Sequence, residues 1–257
     1  MEDFFASLLG GNTILMGIVA TLGTGFATGV GALPILLTTQ VSERLLDAML
    51  GFAAGVMLAA TAFSLLLPAI ELGGIEVTVL GLLVGALFLA ALDNFIPHMH
   101  FISGMEGPAS HLRRVWLLII AITLHNFPEG LAVGVGFGGE DVGAAVALAI
   151  AIALQNMPEG LAVALPLVRE RWPRGKALLY ALASGMAEPI AGLIGVAAVT
   201  IARPILPFGL AFAAGAMLYV VSDEIIPETH SRGYEREGTW GVVMGFVVMM
   251  FLDNLFA

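Results

Sequence analysis

The chain has 257 residues, of which 59% are hydrophobic and only 12% charged, with a mean hydropathy of +0.97. Soluble domains carry about 25% charged residues, so this composition is built for lipid and argues against a water-soluble fold or a nucleic-acid partner. There is no Cys, which excludes disulfides, and the net charge of −10 is best read by position, because several carboxylates fall inside or at the ends of apolar segments.

The amino terminus, Met1-Glu2-Asp3, lacks the basic region of a cleaved signal peptide and is expected to be retained. Crossing the hydrocarbon core takes about 20 apolar residues. By that measure eight spans are expected, at roughly 12–37, 46–70, 75–97, 114–137, 141–168, 175–202, 207–227 and 238–256. Met57 lies near the middle of span two, where a thioether could add a soft donor. The longest connection, 98–113, carries His98, His100 and His111 and reads as a short cytoplasmic loop in a single membrane domain covering 1–257.

Spans four and five carry near-copies of one polar motif, His125-Asn126-Phe127-Pro128-Glu129-Gly130 and Gln155-Asn156-Met157-Pro158-Glu159-Gly160. An ionisable group at the centre of a hydrophobic span costs roughly 2.5–3.5 kcal/mol on insertion scales, so its presence there points to function. A helix brings residues i and i+4 onto one face. His125 can thus share an ion with Glu129, and Gln155 with Glu159, while Asn126 and Asn156 border the same face. Pro128 and Pro158 each remove a helix hydrogen bond and free the carbonyls of Leu124 and Leu154. Gly130 and Gly160 permit close helix approach. Span six adds a third carboxylate, Glu188, before Pro189. Imidazole, carboxylates, amides and a thioether suit a borderline divalent metal such as Zn²⁺ better than Ca²⁺ or Mg²⁺.

The basic residues sort by loop. Arg44, Arg113, Arg114, Arg169, Arg171, Arg174, Lys176, Arg232 and Arg236 fall on one face of an eight-span arrangement, and only Arg203 on the other. The positive-inside rule then puts that face in the cytoplasm and both termini outside. A shift of 160 aligns Phe52-Ala53-Ala54-Gly55 with Phe212-Ala213-Ala214-Gly215, and Leu92-Asp93-Asn94 with Leu252-Asp253-Asn254. The expected fold is therefore an all-α integral membrane protein of eight transmembrane helices. Inverted repeats relate helices 1–3 to 6–8 and helix 4 to 5, a common transporter plan. Asp253 reads as an entrance station for metal and Asp93 as an exit station, with Asp223 and Glu224 extending the exit and His98, His100 and His111 receiving outgoing metal.

With these motifs in view, the whole chain resembles the ZIP (Zrt/Irt-like) metal transporters, in particular their prokaryotic branch. The resemblance implies a homodimer in the cell membrane, with helices one, four, five and six carrying the metal and the others forming a scaffold. It also implies metal-site roles for His125, Asn126, Glu129, Gln155, Asn156, Glu159, Glu188 and Met57. Many relatives have His in place of Gln155, and some have Asp in place of Asn156. The set admits one ion or a pair bridged by Glu129 and Glu159, with the uncharged Asn156 weakening the second position. The expected function is uptake of Zn²⁺, Cd²⁺, Fe²⁺ or Mn²⁺ as substrate, with no catalytic cofactor. A metal-selective channel is the alternative. An intramembrane metallohydrolase lacks its His-Glu-x-x-His string here.

Overall fold

In the computed structural model, residues 7, 9–100, 104–106, 114–139 and 141–256 are described. Helix α1 covers Thr13–Ala32 and closes in a 3-10 turn, Leu33–Leu36. Helix α2, Glu43–Ala59, passes through a π-helical stretch, Ala60–Leu66, into α3, Leu67–Phe95. A short antiparallel pair, β1 (His98–His100) and β2 (Gly104–Glu106), follows, with His98 opposite Glu106 and His100 opposite Gly104. Then come α4 (Arg114–Gly138), α5 (Val142–Arg169), α6 (Arg174–Gly185) and α7 (Ala187–Ile201). Helix α8, Leu206–Val220, also ends in a π-helical stretch, Val221–Ile225, and leads to the short α9, Ile226–Thr229. Helix α10, Glu235–Phe256, completes the chain.

Helix starts are marked in the sequence. The first amides of a helix have no partner within it, and short polar side chains supply one. Asn12 accepts from the Leu15 amide at 3.0 Å, Ser42 from Leu45 at 3.2 Å, and Asp141 from Ala144 at 2.8 Å.

The expectation of eight transmembrane helices is corrected by the structure. Among the described residues, seven helices are long and apolar enough to cross a membrane. The stretches expected separately at 46–70 and 75–97 belong to one helical run of 53 residues, Glu43–Phe95. The reason is local. The helix continues through Glu71-Leu72-Gly73-Gly74-Ile75-Glu76 and is bent at a single residue, Gly74, with φ 78° and ψ 171°. Glycine alone adopts that conformation without a steric penalty. The pairing of helices 1–3 with 6–8, and the parity argument that put both termini on one side, depended on the count of eight and lapse with it.

Residue by residue, the 160-residue shift relates contacts that the structure contains. A β-carbon on Gly55 would lie 2.0 Å from the Val242 carbonyl oxygen, and one on Gly215 would lie 2.0 Å from that of Leu82. Gly245 meets the Phe52 carbonyl and Gly85 that of Phe212, again at 2.0 Å each. These glycines let α2 pack backbone-to-backbone on α10, and α3 on α8. The self-equivalent pair, Gly25 and Gly185, meet each other. The two π-helical stretches also correspond. The helices fall into two groups, α2, α3, α8 and α10 in one and α1 with α4–α7 in the other. They meet where α2 touches α5 and where α4 touches α8.

One end of the molecule gathers the basic residues. Arg169 pairs with Glu43 at 2.7 Å and Arg44 with Glu237 at 2.7 Å. Arg232 joins the fully buried Asp47 to Glu228. Burial alone would lower the Arg232 pKa; Glu228 and Asp47 outweigh that and raise it. The two seams yield a test. Gly85→Ala and Gly245→Ala should each destabilise the protein by about 1–3 kcal/mol through overpacking. Gly23→Ala, whose new methyl meets nothing within 4 Å, should not. Thermal unfolding in detergent compares the three.

Candidate metal centre

The repeated motif lies where the two halves of the inner bundle cross. A β-carbon on Gly130 would fall 2.3 Å from the Glu188 carbonyl oxygen, and one on Gly160 would fall 1.8 Å from that of Thr28. Each motif's glycine is therefore the point at which its helix touches α7 or α1. These contacts also correspond under the two shifts, since Thr28 is the 160-residue counterpart of Glu188 and Gly130 the 30-residue counterpart of Gly160. Close crossing at the glycine places the preceding Pro-Glu beside the neighbouring helix. The proline sits inside an otherwise continuous helix in both α4 and α5.

Five predicted residues, Glu129, Gln155, Asn156, Glu159 and Glu188, lie together there, with Asn126 on the same helix as Glu129. Asn126, Glu129, Gln155, Asn156 and Glu188 are fully buried, and Glu159 is nearly so at 6% exposure. Asn156 organises one side. Its Nδ2 donates to Glu188 Oε1 at 2.7 Å and to the Thr24 carbonyl at 2.9 Å. Gln155 donates through Nε2 to Asn156 Oδ1. Glu129 lies beside Gln155 and within electrostatic reach of His125, Glu159 and Glu188. Both carboxylate oxygens of Glu129 and of Glu159, Glu188 Oε2, Gln155 Oε1 and both polar atoms of Asn126 have no hydrogen-bond partner. Buried polar atoms are otherwise almost always satisfied.

The remaining predictions are placed differently. His125 turns its Nε2 to Glu224, across to the π-helical end of α8. Among the described residues no three His, Cys, Asp or Glu side chains converge as a ready-made set of metal ligands. Amides supply much of the donor chemistry, and the imidazole is engaged elsewhere. Met57 is fully buried within the apolar core. Asp93 lies near Glu224 and His125, with His98 Nε2 at 3.7 Å. His98 Nδ1 also meets the Ile96 carbonyl at 2.7 Å. Asp223 is exposed, unlike the buried Glu224 beside it. His100 is placed by its backbone pairing with Gly104, and His111 lies outside the described residues.

Asp253, near the end of α10 remote from Arg44, accepts from the Ser64 hydroxyl at 2.7 Å. Ser64 also lines a cavity of 520 Å³ with Glu71, Asp141 and Arg203. Sequence reasoning missed Ser64 and Thr24. The repeat could have found Ser64, because the 160-residue shift carries it onto Glu224, as it carries Asp93 onto Asp253. Nothing in the sequence marks Thr24, which acts through its backbone carbonyl.

Comparison with known proteins identifies the family. The family described as "ZIP Zinc transporter" matches residues 102–253. The zinc transporter GufA of Myxococcus xanthus is 43% identical over 251 residues, covering 92% of this chain and 97% of its own. The zinc transporter ZIPB of Bordetella bronchiseptica is 46% identical, covering 96% of this chain and 84% of its own. The human zinc transporter ZIP11 is 37% identical, covering 96% and 98%. Membership sets aside the metallohydrolase reading. The chain belongs to the ZIP family and is a multi-pass membrane protein that transports divalent metal ions.

Proposed function

We propose that the chain carries Zn²⁺, and Cd²⁺ with it, into the cytoplasm by alternating access through the buried site between α4, α5 and α7. The observation that carries this reading is the cluster of unpartnered buried oxygens on Glu129, Glu159, Glu188, Gln155 and Asn126. In a low-dielectric interior such charge is tolerable only with a counter-charge close by, and a dication supplies it. Glu129 and Glu159 are the central ligands, and one or two ions fit the set. His125 joins them once released from Glu224. Zinc is favoured because mixed nitrogen and oxygen donors suit it, and because the relatives described above are named as zinc transporters.

The direction follows from charge. The end carrying Arg44, Arg169 and Arg232 is cytoplasmic by the positive-inside rule. Metal then enters past Asp253 and Ser64 and leaves past Glu224, Asp93 and His98. The correspondence of these two stations under one shift supports a carrier that presents its site to each side in turn. Saturable uptake with counter-transport in vesicles holding only this protein is the expected behaviour; unsaturable flux would indicate a channel.

Glu129→Ala and Glu159→Ala should each reduce metal uptake by at least about tenfold, each deleting a charge that a dehydrated dication needs. Wild-type uptake by a folded Glu129→Ala protein would overturn the site. His125→Ala should weaken Zn²⁺ and Cd²⁺ binding more than Mn²⁺ binding, since imidazole suits the first pair better; competition binding with the three metals reads this directly. At the two stations, Asp253→Asn should lower uptake chiefly at low external metal, whereas Asp93→Asn should slow release after binding. Stopped-flow measurement of binding and release distinguishes these effects.

A further inference from the structure

At the basic end of the molecule a groove of 480 Å³ runs between α2 and α10. Two stripes of side chains line it, each at four-residue spacing. On α2 they are Arg44, Ala48 and Phe52; on α10 they are Arg236, Trp240 and Met244. Residues four apart share a helix face, so each stripe passes from guanidinium to apolar surface over eight residues, about 12 Å. Both helices run in the same sense from this end, so the two guanidinium groups lie at the same end of the groove. Trp240 and Met244 are exposed, at 60% and 53%.

The two guanidinium groups are not paired alike. Arg44 is paired with Glu237 at 2.7 Å. Arg236 is exposed and makes no ion pair among the described residues. Two guanidinium groups and one carboxylate, Glu237, line the groove. Glu43 and Glu235 lie in the same first turns but outside that lining, and Glu43 is paired with Arg169 at 2.7 Å. Trp240, one turn further along, is where an indole sits when it marks the boundary between headgroups and acyl chains.

We propose that this groove holds an anionic phospholipid of the cytoplasmic leaflet. Arg236 and Arg44 would face its phosphate, and the first part of an acyl chain would lie along Phe52, Trp240 and Met244. The gradient from charge to apolar surface within one groove is what selects a lipid over a soluble anion, because free phosphate has no use for the lower half. A zwitterionic lipid already neutralises its own phosphate, so it gains less from the Arg236 guanidinium. Basic pockets between membrane helices on the cytoplasmic side are suited to this use.

The test uses the full chain in nanodiscs of equimolar phosphatidylglycerol and phosphatidylcholine, with bound lipid retained after extraction counted by native mass spectrometry. Wild-type protein should retain phosphatidylglycerol preferentially, and Arg236→Gln should reduce that preference by about fivefold. Arg44→Gln/Arg236→Gln should reduce it further, and Arg236→Lys should keep most of it. Phosphatidylglycerol brominated in its acyl chains should quench indole fluorescence, and Trp240→Phe should remove the share of that quenching beyond what Trp116 and Trp172 give. Arg236 has no ion pair to lose, so its single variant is expected to fold, with helicity checked by circular dichroism. Equal retention of the two lipids by the wild type, or an unchanged preference in Arg236→Gln, would overturn the proposal. So would stabilisation by inorganic phosphate alone, or loss of dimers rather than of lipid in the double variant, which would assign the groove to a second copy of the chain.

Discussion

Carboxylates held deep in an apolar bundle, with few hydrogen-bond donors, set the terms for the rest of this structure. Glu129, Glu159 and Glu188 come from three helices and lie close enough to repel one another. Such a group cannot persist on packing energy alone. Two requirements follow from the proposed role: a dication to balance the group, and helices rigid enough to hold its oxygens together. The glycine crossings at Gly130 and Gly160 answer the second requirement by bringing backbone against backbone. The amide of Asn156, spanning Glu188 and the Thr24 carbonyl, adds a directional constraint that packing could not provide.

Much of the centre was legible because membrane interiors make polar residues conspicuous. The motif His125 to Gly130 and its copy from Gln155 to Gly160 stand out against Ala, Leu and Val, and their spacing alone predicted a shared face. Less was legible where the structure depends on backbone. Thr24 contributes a carbonyl, which every residue has, and no pattern could single it out. The engagement of His125 with Glu224 joins residues 99 apart in sequence, and helical periodicity says nothing about such pairs. The helix count failed for a related reason. A bend at one glycine looks, in a hydropathy reading, the same as a short loop between two spans, and the carboxylates Glu71 and Glu76 on either side of Gly73-Gly74 favoured the loop.

The contact between His125 and Glu224 also links the two helix groups at the depth of the site. One residue belongs to the inner bundle and the other to the π-helical end of α8. A π-helical turn is an irregularity that helices usually carry at functional positions, and here it sets a carboxylate toward the imidazole. In the proposed cycle, movement of His125 toward Glu129 breaks that link, which couples the proposed site to the relation between the groups through one side chain.

The two glycine seams have a further meaning. Phe52 meets Gly245 while Phe212 meets Gly85, and Gly25 and Gly185 face one another across the middle. In an assembly of identical subunits, this reciprocity, in which i touches j′ and j touches i′, defines an isologous interface about a two-fold axis. One chain here therefore contains a contact pattern of isologous type within itself. Because both sides belong to one chain, corresponding positions need not be identical, and Thr28 stands on one side where Glu188 stands on the other. A polar cluster asymmetric in charge is thus compatible with contacts that are symmetric in the backbone.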